Sequence, residues 1–189
     1  MERVEPGPVY IQLSPEMMPL RIYATEPFDA PRKGSPAQAR RAMVEGFSRW
    51  ERAIRPQLDW FALEFVERAR DADLRVDWTR TTSSPGKART ICEPVTPTDP
   101  ARPRVRCRIE VAIGRQPKAL SMGGALQDTH VLEERRSVRE LINLAAHEFG
   151  HALGLRDCAC NSVMDYSGWR YPEADVTDLD VRNLLARID

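Results

Sequence analysis

The residues best suited to chemistry are two histidines and a glutamate in the segment 146–157, Ala-His-Glu-Phe-Gly-His-Ala-Leu-Gly-Leu-Arg-Asp. His147 and His151 are four residues apart, so on a helix their imidazoles share one face, about 6 Å apart along the axis. Imidazoles in this arrangement can bind one tetrahedral Zn²⁺. Glu148 would project beside such an ion, where a base is needed to deprotonate a metal-bound water.

A third metal ligand is available shortly after the second histidine. Gly154 lets the helix end in a left-handed turn, and the chain can then offer Asp157, whose carboxylate is a competent zinc ligand. Cys158 and Cys160 follow directly, and a thiolate also binds zinc well. We expect this pair to form a disulfide or to stay free, which leaves open whether Asp157 or Cys158 is the third ligand. Two core histidines without a metal are the alternative to a metal site.

The segment from His147 to Asp157 resembles the metzincin signature, His-Glu-x-x-His-x-x-Gly-x-x-(His or Asp). Its third position is Asp, as in snapalysin-like enzymes. Residues 162–166, Ser-Val-Met-Asp-Tyr, resemble the methionine turn of that family. The resemblance implies that Met164 is a hydrophobic floor under the zinc. The Met-x-Tyr pattern is similar to the astacin and serralysin branches, which implies that Tyr166 binds zinc or stabilises the transition state.

Three helices must support this segment. Ser35, Pro36 and Gln38 form a capping box for an amphipathic helix that ends near Pro56. Ser137 to Glu140 caps a largely buried helix that stops at Gly154, and Thr177 to Asp180 marks the start of a last helix.

Four strands are predicted from apolar alternation, at residues 20–24, 61–65, 74–78 and 109–113. Residues 80–107 contain five prolines and break the pattern, so we interpret them as a long surface loop that a Cys92–Cys107 bridge could pin.

The predicted fold is α+β and zincin-like, with a twisted mixed sheet of about four or five strands and two long helices. The backing helix, two strands and C-terminal helix are similar to those of matrixin-like catalytic domains. We therefore expect one metallopeptidase domain over residues 1–189, with an upper lobe at about 19–154 and a small irregular lower lobe at about 155–189 that ends in a helix. By the same resemblance, Ile109 to Ile113, or the segment after it to Ala125, is the cleft edge where an extended substrate pairs by strand addition.

These residues predict a zinc-dependent endopeptidase with Glu148 as general base and Tyr166 at the oxyanion. One alternative is a non-catalytic zinc-stabilised binding domain, closed by a fourth protein ligand. A gluzincin-type peptidase is another, and Glu173 is the only glutamate after the motif that could serve it. The remaining histidine, His130, is interpreted as a surface residue or as one with satisfied hydrogen bonds, so we expect one catalytic Zn²⁺ and leave calcium open.

The composition of the chain argues against nucleic acid and membranes as partners. The chain has 189 residues, 28 Lys+Arg and 28 Asp+Glu, hence no net charge, and no stretch long and apolar enough for a membrane. We expect a monomer acting on a peptide or protein substrate, without nucleic acid or membrane partners. Residues 1–6 lack the apolar core of a signal peptide. Because an unrestrained protease endangers a cytosol, we nevertheless favour a secreted or periplasmic location.

Overall fold

The computed structural model describes residues 9–28, 34–79, 88–96, 99, 102, 105–112, 114–115, 134–135, 137–165 and 174–188. Within these ranges the chain is α+β, with a five-stranded mixed sheet and three helices. This confirms the fold class at that level. None of the helices in the described ranges combines the length and the apolar character needed to cross a bilayer.

The sheet contains four parallel strands and one antiparallel strand. Its strands, in chain order, are β1 (Leu20–Ala24), β2 (Leu63–Phe65), β3 (Leu74–Thr79), β4 (Ala88–Pro94) and β5 (Val105–Ala112). They lie in the order β2-β1-β3-β5-β4, and only β4 runs against its neighbour. A separate two-stranded ribbon joins β6 (Gly114–Arg115) to β7 (Glu134–Arg135). The predicted sheet of four or five strands is confirmed.

The helices are α1 (Pro36–Ile54), α2 (Val138–Ala152) and α3 (Asp178–Leu185). Each begins with a capping box, at Ser35, Ser137 and Thr177, in which the side chain accepts a hydrogen bond from the third helical N–H. These starts confirm the sequence prediction. Ten of the fifteen residues of α2 are buried, which also confirms that this helix lies in the core.

Close contact between α1 and α2 fixes the helix that carries the histidines. A Cβ atom at Gly46 would lie 2.5 Å from the Cβ of Ala145, so only glycine allows this approach. One turn further along α1, the indole Nε1 of Trp50 donates a 2.7 Å hydrogen bond to the carbonyl of Ala146. Both residues of this hydrogen bond are fully buried. The residue immediately before His147 is therefore held by α1.

The interpretation of residues 80–107 as a loop was wrong for part of that segment. Residues 88–94 form β4, and residues 105–107 begin β5. The prolines misled the prediction because Pro94 lies at the end of a sheet-edge strand, where proline is tolerated. Cys92 and Cys107 are directly opposite each other in the β4–β5 register and form a disulfide, which confirms the predicted bridge.

The predicted cleft edge at Ile109 to Ile113 was also wrong. β5 lies between β3 and β4 and is hydrogen-bonded on both sides, so it has no free edge for another strand. The strand at that end of the sheet is β4. Beyond β5 and β6, the segment up to Ala125 lies outside the described residues.

After α2 the chain contains little regular structure until α3. In the described part of residues 155–188, the only β pairing is an isolated bridge between Cys158 and Asp165. The division into an upper and a lower lobe at about residue 154 remains a prediction.

Candidate metal centre

The two motif histidines lie on one face of α2, near its C-terminal end. Their rings are 4.7 Å apart between centroids and nearly perpendicular, at 87°. The side chain of His147 is 8% exposed, that of His151 25% and that of Asp157 56%. The centre is thus buried on the helix side and open to solvent on the Asp157 side.

Each histidine is oriented by a hydrogen bond from its Nδ1 to a backbone carbonyl. His147 Nδ1 lies 2.8 Å from the carbonyl oxygen of Val163, and His151 Nδ1 lies 2.9 Å from that of Leu155. Because a carbonyl oxygen can only accept, each Nδ1 must carry a hydrogen. This leaves both Nε2 atoms with a free lone pair in the neutral rings, as metal-binding histidines require.

The two Nε2 atoms and one carboxylate oxygen converge on a small volume. The Nε2 atoms are 3.1 Å apart, and Asp157 Oδ1 lies 3.2 Å from that of His147 and 3.3 Å from that of His151. The ligand atoms of these three residues all lie within 4.8 Å of one another. The group can therefore bind a metal ion.

Two lone pairs and a carboxylate oxygen at these distances repel one another unless a cation lies among them. In the metal-free protein a proton on His147 can take that place. Burial disfavours protonated His147, but hydrogen bonding to Asp157, the charge of Glu148 and the carbonyl of Val163 outweigh it and raise the pKa of His147 above its usual 6.5. A divalent metal ion satisfies the same three groups, so the residues present fit such an ion.

Gly154 turns the chain back towards the histidines, as predicted. It has φ +90°, and its N–H donates to the carbonyl of His151. The N–H of Leu155 donates to the carbonyl of Gly150. This pair of bonds is the Schellman arrangement that ends many helices. It places the Leu155 carbonyl oxygen at Nδ1 of His151 and brings Asp157 to the two histidines.

Residues 162–165 form a tight turn under the histidine helix. The N–H of Asp165 donates to the carbonyl of Ser162, while the Ser162 hydroxyl accepts from the N–H of Met164 and donates to the buried carboxylate of Asp180 on α3. Met164 is 2% exposed, and a Cβ at Gly150 would clash with its sulfur. Met164 therefore packs directly against the turn of α2 between the two histidines, where the sequence predicted a floor.

The carboxylate of Glu148 is hydrogen-bonded to a residue that was not predicted from the sequence. Thr90 Oγ1, on β4, lies 2.7 Å from Glu148 Oε2 and 2.8 Å from the Glu148 carbonyl oxygen. Glu148 itself is 5% exposed. The alternation of Ala88, Thr90 and Cys92 with Arg89 and Ile91 is the signal that could have revealed this strand and its inward-facing threonine.

Three residues singled out in the sequence lie outside the described residues, namely Tyr166, Glu173 and His130. Cys158 and Cys160 are described and form a disulfide with each other, so in this structure neither offers a thiolate to a metal. Of the two candidates for the third ligand, Asp157 is the one that the structure brings to the histidines.

Comparison of the sequence with models of known protein families gives no match, and neither does comparison with curated proteins. Any assignment of function to this centre consequently depends on the residues and their geometry.

Proposed function

We propose that the protein is a zinc-dependent endopeptidase of the metzincin type. The observation that carries the proposal is the convergence of His147, His151 and Asp157, next to a buried glutamate, Glu148, that is not part of the converging group. A site with three protein ligands keeps a position for water or substrate, which is typical of catalytic rather than structural zinc. A purely structural site has no use for the adjacent carboxylate.

Zinc is the metal that these ligands favour. Two imidazole nitrogens and one carboxylate oxygen suit its borderline-soft character and tetrahedral geometry. Bound there, zinc would lower the pKa of a coordinated water and polarise the carbonyl of the scissile peptide bond.

The chain's own residues would then carry the protons and the charge. Glu148 takes the proton from the attacking water and passes it to the leaving amine. Its carboxylate is buried, and its negative charge is one of the causes that raise the pKa of His147. By resemblance to the astacin and serralysin branches, Tyr166 stabilises the oxyanion. Met164 packs under the histidines and keeps the floor of the site apolar.

An extended peptide would bind along β4. This strand is the last of the five in the sheet, and its Thr90 contacts Glu148, so the strand passes the proposed base. A sheet edge offers unpaired N–H and C=O groups to which a substrate strand can add. We assign the substrate class on this basis as peptides or proteins that bind in extended conformation.

The competing function is a zinc-stabilised binding domain. It requires a fourth protein ligand, and in the described part of the chain the converging group has three His, Cys, Asp or Glu members. The Cys158–Cys160 disulfide also withholds both nearby sulfurs. These observations favour the enzyme.

The test is cleavage of a quenched-fluorescent peptide library by zinc-loaded protein, with Glu148→Ala in parallel and the exposed Glu45→Ala as a matched control. We expect cleavage by the parent and the control, and loss of cleavage with retained zinc in Glu148→Ala. Equal cleavage by Glu148→Ala would contradict the assigned base. No cleavage by a parent shown to hold one zinc would favour the binding domain.

A further inference from the structure

Thr90 connects the edge strand of the sheet to the proposed general base. Its hydroxyl lies 2.7 Å from Glu148 Oε2, a hydrogen-bond distance typical of O–H donors to carboxylates. The second acceptor, the backbone carbonyl of Glu148, lies 2.8 Å from the same hydroxyl. Because a hydroxyl has one hydrogen, these two acceptors share it, and both belong to the residue whose orientation matters most for proton transfer.

The position of Thr90 is well fixed by its strand. Ala88, Thr90 and Cys92 alternate with Arg89 and Ile91, so the first three share the face of β4 that packs on α2. Ala88 is buried in the core at one end of this row. At the other end, Cys92 is covalently bound to Cys107 of β5. A side chain between two such anchors has little freedom to move away from α2.

We propose that Thr90 is a positioning residue for Glu148, an assignment that rests on the proposed peptidase function. The hydroxyl holds Oε2 of the carboxylate against the sheet, which leaves Oε1 as the oxygen that receives the proton from water and returns it to the leaving amine. A buried carboxylate without this bond could rotate about its terminal torsion, which is broad and roughly two-fold in glutamate. Thr90 thus acts through Glu148 and need not touch the substrate.

A positioning role for Thr90 and a purely structural contact between sheet and helix predict different effects of removing the hydroxyl. A structural contact predicts lower stability with unchanged chemistry. A positioning residue predicts a loss of kcat with little change in KM, because the carboxylate is needed in the transition state rather than for substrate binding. Loss of a residue that orients a metal ligand through a hydrogen bond typically lowers activity by about 10- to 100-fold, and we expect a loss of similar size for the residue that orients Glu148.

The first experiment compares Thr90→Val, which keeps the shape and removes the hydroxyl, with Thr90→Ser, which keeps the hydroxyl. Thr79→Val is the matched control, since the buried Thr79 hydroxyl on β3 has no hydrogen-bond partner among the described residues. We expect Thr90→Val to lower kcat by about 10- to 100-fold at parental KM and zinc content. Thr90→Ser and Thr79→Val should stay near the parental kcat.

The second experiment needs no activity. Urea unfolding of the metal-free parent, Thr90→Val, Glu148→Ala and the double variant gives a double-mutant cycle. The Glu148 carbonyl is present in both backgrounds, so the cycle reports what the Thr90 hydroxyl gains from the carboxylate beyond its bond to that carbonyl. A hydrogen bond to a charged group predicts a coupling of about tenfold or more in the unfolding equilibrium constant.

Parental kcat in Thr90→Val, in a parent that cleaves peptides, would overturn the assignment and leave the proposed function intact. A coupling factor near one would overturn it as well. If the zinc-loaded parent cleaves no peptide, the proposed function fails, and the positioning role fails with it even if the cycle shows the bond.

Discussion

The sharpest structural prediction concerns Gly154, the residue that turns the chain from the histidine helix towards Asp157. Replacing it with alanine should cost the metal-free protein about 2–5 kcal/mol. Part of this comes from φ +90°, because a side chain in the left-handed region costs about 1–2 kcal/mol. The rest comes from the new Cβ, which would lie 2.7 Å from the ring of Tyr10. Such overpacking costs about 1–3 kcal/mol.

The assay is urea unfolding of Gly154→Ala, Tyr10→Ala and the double variant, all without metal. In the Tyr10→Ala background the ring contact is gone, so the cost of Gly154→Ala should fall to about 1–2 kcal/mol, the backbone part alone. Because a typical domain has about 5–15 kcal/mol of stability, the single variant should still fold at low temperature.

Zinc affinity gives a second measurement on the same variants. Asp157 lies three residues beyond Gly154, so a displaced turn should misplace this ligand and weaken zinc binding by about tenfold or more. A loss of stability below about 0.5 kcal/mol, within the range of ordinary surface substitutions, would refute the reasoning from the turn. An equal cost with and without the Tyr10 ring would refute the contact but not the backbone argument.

Two further predictions concern the ligands themselves. Asp157→Asn should weaken zinc binding by more than about 100-fold, because loss of a residue that only hydrogen-bonds to a metal ligand already costs up to about that factor. Cys158→Ser should leave zinc affinity near the parental value. The reverse order in zinc titrations would make Cys158 the third ligand. The pKa of His147 is raised in the folded protein, so protonation of this ring stabilises the metal-free protein. This contribution is complete below the pKa of His147 in the unfolded chain, about 6.5, and is lost as the pH rises through its pKa in the folded protein. The stability of the metal-free protein should therefore fall over that pH range, and its dependence on pH should be weaker in His147→Gln. Stabilisation by zinc needs the neutral ring and should grow over the same range. Thermal melts with and without zinc that show the same dependence on pH would contradict this.

The elements that the sequence predicted well are those whose signals are local. Ser35, Ser137 and Thr177 cap helices through bonds to residues three positions on, so short patterns suffice to locate them. The same holds for His147 and His151, which are neighbours because of helical geometry alone. Gly154 is likewise readable, since few other residues adopt φ +90°.

The errors concern features that depend on distant parts of the chain. Strand order decides which strand is an edge, and nothing within residues 109–112 reveals that β3 and β4 flank this part of β5. β4 was overlooked because its alternation is short and lies among prolines, and Thr90 was overlooked with it. Its contact with Glu148 spans 58 residues of sequence, a separation at which no local pattern operates.

The most direct test of the proposed function is a zinc titration of chelator-treated, dialysed protein, followed by hydrolysis of one cleavable peptide. We predict that the rate rises linearly with added zinc and reaches a plateau at one equivalent per chain, with no rise in His151→Gln, which lacks one of the converging nitrogens. A rate that does not respond to zinc, or one equivalent of tightly bound zinc without any hydrolysis, would contradict the claim that His147, His151 and Asp157 form a catalytic zinc centre.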